Sequence, residues 1–203
     1  MAHIPDGVLS LPVLAGGWMI AAGALGLGIR KLDEDSLPRT GVLAALFFTV
    51  SLVAVPVGPS SVHVLAATLM AFLIGIRTVP AVLAGLVLQT LFFGFGGLTT
   101  LGINTVTIAL PGVIVAGLIR PLVIRWSAPR AGLVAGLGAA VAVALTGGAV
   151  ALALALSASE FVPAARILMA TYLPLMAGEG VLTGLVVAFL KRVRPETFAE
   201  AAR

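Results

Sequence analysis

Only two imidazoles occur in this chain of 203 residues, and both stand where a transition metal could be bound. His3 lies in Met1-Ala2-His3-Ile4-Pro5-Asp6-Gly7, and His63 follows Gly58-Pro59-Ser60-Ser61-Val62 at the head of an apolar run. A free amine with histidine at position 3 offers the amine, two backbone amides and the imidazole as nitrogen donors. If Met1 is removed, Ala2 supplies the amine, one amide remains, and His63 can take the fourth place. Four nitrogens in a plane suit nickel(II) and copper(II). Taken singly, His3 is better read as a solvated terminal residue, and His63 can be simply a hydrated polar group at a helix start. An ionisable side chain at membrane depth is nonetheless a functional hypothesis. As the only two histidines, they point together to metal ligation.

The surroundings are apolar. The chain is 60% hydrophobic and 10% charged, with a mean hydropathy of +1.18. Soluble domains carry about 25% charged residues. The apolar runs are long and repeated, as membrane-spanning helices require, and β-barrel alternation is absent. The sequence has no cysteine, so thiolate metal sites and disulfides are excluded. The net charge of +4 is spread over short loops, which argues against nucleic acid as a partner. The amino terminus lacks the positive flank of a signal peptide, so the first span is expected to be retained.

The pattern predicts an all-α membrane protein with about seven transmembrane helices, near 8–29, 40–57, 62–76, 79–95, 101–124, 131–156 and 167–190. The third and fourth are short for a crossing and are expected to tilt, kink or stop partway. Pro80 suits a first helical turn, while Pro111 and Pro174 should kink their helices. With the amino terminus outside, Arg30, Lys31, Arg39, Arg77, Arg120, Arg125, Arg130, Lys191, Arg192, Arg194 and Arg203 fall inside, and only Arg166 falls outside. This positive-inside pattern places the carboxyl terminus in the cytoplasm and both histidines on the outer face of a cell-membrane protein. Residues 1–203 read as a single transmembrane domain, with 1–7 as a metal-binding segment and 191–203 as a cytoplasmic tail.

Other polar residues have two readings each. Asp6 is an oxygen ligand, an acceptor that orients an imidazole, or the turn residue that Pro5-Asp6-Gly7 suggests; the turn is favoured. Gln89 and Asn104 read as interhelical hydrogen-bonders. Both flank the glycine-rich stretch 93–102, where the backbone can pack closely or line a site. Glu179 is the only acid deep in a span, so it must be paired, protonated or water-lined, and its role is open between structure and function. Small residues four apart, at Gly41/Ala45, Ala67/Ala71 and Ala135/Ala139, would let helices approach closely. The phosphate-loop ending Gly-Lys-Ser/Thr and the His-Glu-x-x-His motif are missing. No nucleophile–base pair suggests catalysis.

Ala2-His3-Ile4-Pro5-Asp6-Gly7-Val8-Leu9-Ser10 resembles the Met-His-Ile-Pro-Asp-Gly start of the CbiM/NikM family. The likeness continues at Ser61-Val62-His63-Val64-Leu65, at 89–97 with Leu101-Gly102-Ile103-Asn104, and at Glu179-Gly180-Val181-Leu182-Thr183. The resemblance implies the substrate-capture component of an energy-coupling-factor importer for cobalt(II) or nickel(II). It implies a seven-helix protein whose amino-terminal segment tucks into the bundle, with metal on terminal backbone nitrogens of Met1 or Ala2, on His3 and on His63. The implied partners are a membrane coupling protein, two cytoplasmic ATPases and a small additional membrane subunit. The chain departs from the pattern at Ala2, which separates methionine from histidine; removal of Met1 would restore the spacing. It departs again at Phe95, where the family often has an acid. A stand-alone ion-coupled carrier and an intramembrane hydrolase are competing readings, disfavoured by the single deep carboxylate and by the lack of paired catalytic residues.

Overall fold

The structure, a computed structural model, describes residues 3–57 and 60–200, without the side chains of 54–57, 60–62, 164–168 and 200. The fold is helical. Helices α1 (Leu11–Arg30), α2 (Leu37–Ser51), α3 (Ala67–Ile74), α4 (Thr78–Phe93), α5 (Leu101–Arg125), α6 (Ala128–Ser157), α7 (Val162–Val193) and α8 (Thr197–Glu200) are joined by short connections. The one departure among the described residues is a hairpin of β1 (Ala54–Val57) and β2 (Ser60–His63), antiparallel, with Ala54 opposite His63.

Five apolar stretches are long enough to cross a bilayer: 11–30, 67–93, 101–125, 128–157 and 169–193; 37–51 is shorter. The expected second span, 40–57, is helical only to Ser51. Pro56 disfavours helix at the residue before it and removes a donor, so the chain leaves the helix and pairs as a ribbon. The expected third span, 62–76, shrinks to the two turns of α3, because His63 still belongs to the hairpin.

The stretch 67–93 is not one rod. Helix α3 runs along α5 in the same direction: Gly112 lies against the Ala67 backbone, and Arg120 donates to the Ala71 carbonyl. A 3-10 turn at Gly75–Arg77 follows. Gly75 has φ +59°, which favours glycine. Helix α4 then runs back along α2, with Gly85 on the Phe47 ring and Gln89 on Ser51. A short third and an adjacent fourth element were therefore legible, and the reversal at Gly75 explains the shortness. Pro80 is the third residue of α4. Helices α5 and α7 continue through Pro111 and Pro174 as unbroken helices.

Helices α6 and α7 form an antiparallel pair held at glycines. A Cβ on Gly136 would lie 2.6 Å from the Gly180 carbonyl oxygen, closer than any side chain tolerates. The core is formed by Phe47, Met70, Ile74, Val82, Ile108 and Tyr172. Ala67, Ala71, Ala135 and Ala139 are buried inside the bundle, whereas Gly41 and Ala45 are exposed.

Candidate metal centre

Residues 3–10 precede α1 and cross one end of the bundle. Asn104, in the first turn of α5, grips this segment from both sides. Its Oδ1 accepts from the Ile4 N–H at 3.0 Å, and its Nδ2 donates to the Ile4 carbonyl at 3.1 Å. The Ile4 side chain is buried near Leu9, Ile103, Val150 and Ala153. Further along, the Ser10 N–H donates to Ser157 Oγ at the end of α6. Asp6-Gly7 forms the expected turn, with Gly7 at φ +82°. The turn also turns the Asp6 carboxylate toward the start of α5, where Oδ1 accepts from the Thr99 N–H at 3.0 Å and the Thr99 hydroxyl at 2.5 Å.

His63 is delivered from the other side, by the hairpin. The residues after it are pinned by Glu179: the N–H groups of Leu65 and Ala66 both donate to Glu179 Oε1, the second at 2.8 Å. These amides head α3, so the carboxylate sits where a helix start favours negative charge. Ala66 has φ +52°, the one left-handed non-glycine residue among those described. That conformation costs an alanine roughly 1–2 kcal/mol, and the double grip of Glu179 holds it in place. Glu179 is thus paired with backbone donors, one of the options open from sequence.

The two imidazoles meet. Their ring centroids are 4.7 Å apart and their planes 21° from parallel. Each residue is 5% exposed. His3 Nδ1, His3 Nε2 and His63 Nε2 are buried without a hydrogen-bond partner among the described residues. Leaving a buried polar atom unpaired costs about 1–3 kcal/mol each, so three at one point mark a place prepared for something else. His63 Nδ1 lies 3.2 Å from the Val64 carbonyl oxygen. If this N–H donates there, the lone pair rests on Nε2, the atom that faces inward unpaired.

Both groups lie ahead of the spanning helices that follow them, and their basicity is depressed. Burial, then the neighbouring His63, lowers His3 from its ordinary 6.5 to about 3. Burial is also the main cause lowering His63. Neutral imidazole is the form that ligates metal. Among the described residues no three His, Cys, Asp or Glu side chains group together as a metal cage. Met1 and Ala2, the other expected donors, lie outside the described residues.

Of the remaining expected residues, Asn104 and Asp6 hold the segment that carries His3, and Glu179 holds the loop after His63. Asn104 does not bridge two spanning helices; it binds the backbone of the leading segment. Gln89 does bridge helices: its Nε2 donates to Ser51 Oγ on α2 and, at 3.5 Å, to the Phe48 carbonyl. The glycine-rich stretch lines the site. A Cβ on Gly96 would lie 3.5 Å from His3 Cβ. Thr99 and Thr100 were missed from sequence, since nothing local marks them as receivers of a carboxylate 93 residues away.

Residues 3–197 match the family described as the cobalt uptake substrate-specific transmembrane region, CbiM. The chain belongs to the CbiM family. It is 34% identical to the cobalt transport protein CbiM of Sorangium cellulosum over 215 residues, covering 96% of this chain and 93% of that one. It is 33% identical over 132 residues to the fused nickel transport protein NikMN of Rhodobacter capsulatus, covering 62% of this chain but 38% of that longer relative. A crystal structure of a transition metal transporter superposes with a TM-score of 0.81 at 27% identity, covering 94% of this chain and 93% of the other. CbiM membership makes this chain a multi-pass protein of the cell membrane and a transport protein, not an enzyme.

Proposed function

We propose that this CbiM protein is the substrate-capture subunit of an ATP-driven importer of the energy-coupling-factor type, and that its cargo is nickel(II) or cobalt(II). The observation that carries this reading is the contact of His3 with His63, with three buried ring nitrogens unpaired. In this reading residues 1–7 form the metal-binding segment on the outer face, and backbone nitrogens of Met1 or Ala2 complete the donor set. Residues 191–203 form the cytoplasmic tail. The relatives named for cobalt and for nickel transport support both metals as cargo.

The chain has no phosphate-loop motif, so nucleotide energy must reach it through a membrane coupling protein and two ATPases, with a small additional membrane subunit. The exposed pair Gly41/Ala45 offers a close-approach face for docking; Ala67/Ala71 is spent inside the bundle. Glu179, committed to two backbone amides, is a poor shuttle for an independent ion-coupled carrier.

Metal capture must disturb the ring stack. Imidazole lone pairs lie in the ring plane, so nearly parallel rings cannot both aim at one cation. One ring turns as the metal enters, and its displacement is the structural signature of loading. The test is calorimetric titration of the metal-free protein with nickel(II) and cobalt(II). His3→Ala and His63→Ala should each lose well over the roughly 10–100-fold that an outer partner of a ligand commands. An amino-terminal extension should abolish binding, while a carboxyl-terminal tag should not. Wild-type affinity in either histidine variant removes that residue from the ligand set.

A further inference from the structure

The leading segment is held over the imidazoles by a contact that no metal-ligand role requires. Asp6 Oδ1 receives three donors from the residues just ahead of α5: the Thr99 N–H at 3.0 Å, the Thr99 hydroxyl at 2.5 Å and the Thr100 N–H at 3.3 Å; the Thr100 hydroxyl oxygen lies 3.5 Å away. The carboxylate is therefore tied to the backbone immediately ahead of α5, 93 residues downstream in the chain, near the positive end of that helix. The receiving loop is shaped around it. A Cβ on Gly97 would lie 2.1 Å from Asp6 Cγ, so only glycine admits the carboxylate there. Thr100 Oγ1 donates back to the Gly97 carbonyl, and Trp18 Nε1 on α1 donates to the Thr99 carbonyl, fixing the loop from two sides. His3 is three residues before Asp6 in an extended segment whose other anchor is Asn104 on Ile4. With both anchors closed, the backbone that carries His3 is fixed beside His63.

We propose that the Asp6 clasp on Thr99 and Thr100 governs how long the metal stays: Asp6 is a positioning residue that keeps the His3 segment seated and so sets the dissociation rate, without ligating the metal. This rests on the ligand reading above. Of the two anchors, Asp6 is the one at the surface, and it holds by a charged acceptor. The Asn104–Ile4 pair is buried. Opening therefore starts at the clasp, where water can replace the donors, and then proceeds to Ile4 and His3. The donors themselves hold the Asp6 carboxyl below the usual range, the Thr99 hydroxyl foremost.

The test is stopped-flow release of nickel(II) from the full chain into excess chelator, with the nickel ligand-field spectrum recorded before mixing. Asp6→Ala should speed release by about tenfold or more, the factor that a charge-assisted contact of ~1.5–3 kcal/mol implies. Gly97→Ala should do the same from the opposite side, by displacing the Asp6 carboxylate without replacing it. Thr99→Val should give a smaller acceleration, and Thr99→Ser should restore the slow rate. Asp6→Asn keeps one acceptor and should fall between, serving if Asp6→Ala does not fold. The spectrum and the association rate should stay near wild type throughout. Wild-type release in Gly97→Ala and in the Asp6 variants overturns the clasp, as does equal release by Thr99→Ser and Thr99→Val. A changed spectrum in Asp6→Asn would make Asp6 a ligand instead. His3→Ala, run alongside, separates the two readings. If it abolishes binding while clasp variants release normally, only the clasp fails. If it binds normally, the ligand set and the clasp fall together.

Discussion

Helices α6 and α7 and the segment-hairpin-loop region around His3 bury their backbones by opposite means. The α6–α7 pair satisfies its amides internally, as any helix does in lipid, and then approaches until Gly136 meets the Gly180 carbonyl and Gly132 meets that of Gly184. The histidine end leaves helix at 3–10, 52–57 and 60–66; the two hairpin strands pair with each other, and amides outside them are answered by side chains. Asn104 answers Ile4, Glu179 answers Leu65 and Ala66, and Asp6 is drawn to the start of α5. Irregular backbone within a membrane protein is tolerated where protein buries it or a cavity needs it. Two deep side chains, Asn104 and Glu179, thus hold the backbone next to His3 and just after His63.

The contrast is broken most severely at Asn104. Asn104→Leu is close in size but leaves the Ile4 N–H and carbonyl without their partners, at about 1–3 kcal/mol each. Nickel(II) affinity should fall by about 10–100-fold, as for other groups that orient ligands from behind, while the helical content by circular dichroism is kept. Titration of this variant with unchanged affinity would mean the leading segment is seated by something other than Ile4.

Acid should act on the same end. His3 is depressed to about 3 from its ordinary 6.5, so a released segment binds a proton that the seated one refuses. The seated state is therefore fully favoured above about pH 6.5 and loses ground as pH falls from there toward 3. Proton competition for amine and imidazole acts in the same direction on metal affinity. Metal-free protein probed by hydrogen exchange at Ile4 should show protection at pH 7.5 and progressive loss below pH 6.5. Loss of protection on raising the pH instead would contradict the buried, neutral rings.

The glycine contacts test the other member of the pair. Gly136→Leu places a side chain where a single Cβ already lies 2.6 Å from a carbonyl oxygen. Overpacking of this kind costs about 1–3 kcal/mol or more. Thermal stability should drop clearly, while the protein that remains folded binds nickel(II) as before. A parallel loss of affinity would show that α6 and α7 position the centre more directly than through Glu179 alone.

The fold class, the membrane location and the pairing of His3 with His63 were legible because apolar run length, cation placement and the scarcity of histidine are local properties of the chain. The turn at Asp6-Gly7 was legible from Pro-Asp-Gly chemistry. The hairpin was not, since Val53–Val57 and Val62–Leu65 read as continuous apolar helix unless Pro56 and Pro59 are given the deciding weight. The partners of Asp6, Asn104 and Glu179 were not legible either. Each reaches a backbone 93 to 114 residues away, and no local pattern encodes such a distance.

Gln89 offers the smallest effect and the sharpest boundary. It lies at the same end of the bundle as the histidines and is fully buried, yet its side chain serves only α2, through Ser51 and the Phe48 carbonyl. Interhelical bonds of this kind contribute about 0.6 kcal/mol on average in membrane proteins. Its Oε1 is buried with no partner among the described residues, so removing the carboxamide also removes an unsatisfied acceptor. The two changes offset, and Gln89→Leu should shift stability by less than about 1 kcal/mol. Its backbone carbonyl still accepts from the Phe95 N–H at 3.3 Å, so the loop that receives Asp6 keeps its start. Nickel(II) affinity and release rate should both stay at wild type. A variant that loses affinity while remaining folded would move the edge of the metal-holding region out to α2, and would assign the Ser51–Gln89 contact a part in seating the hairpin that carries His63.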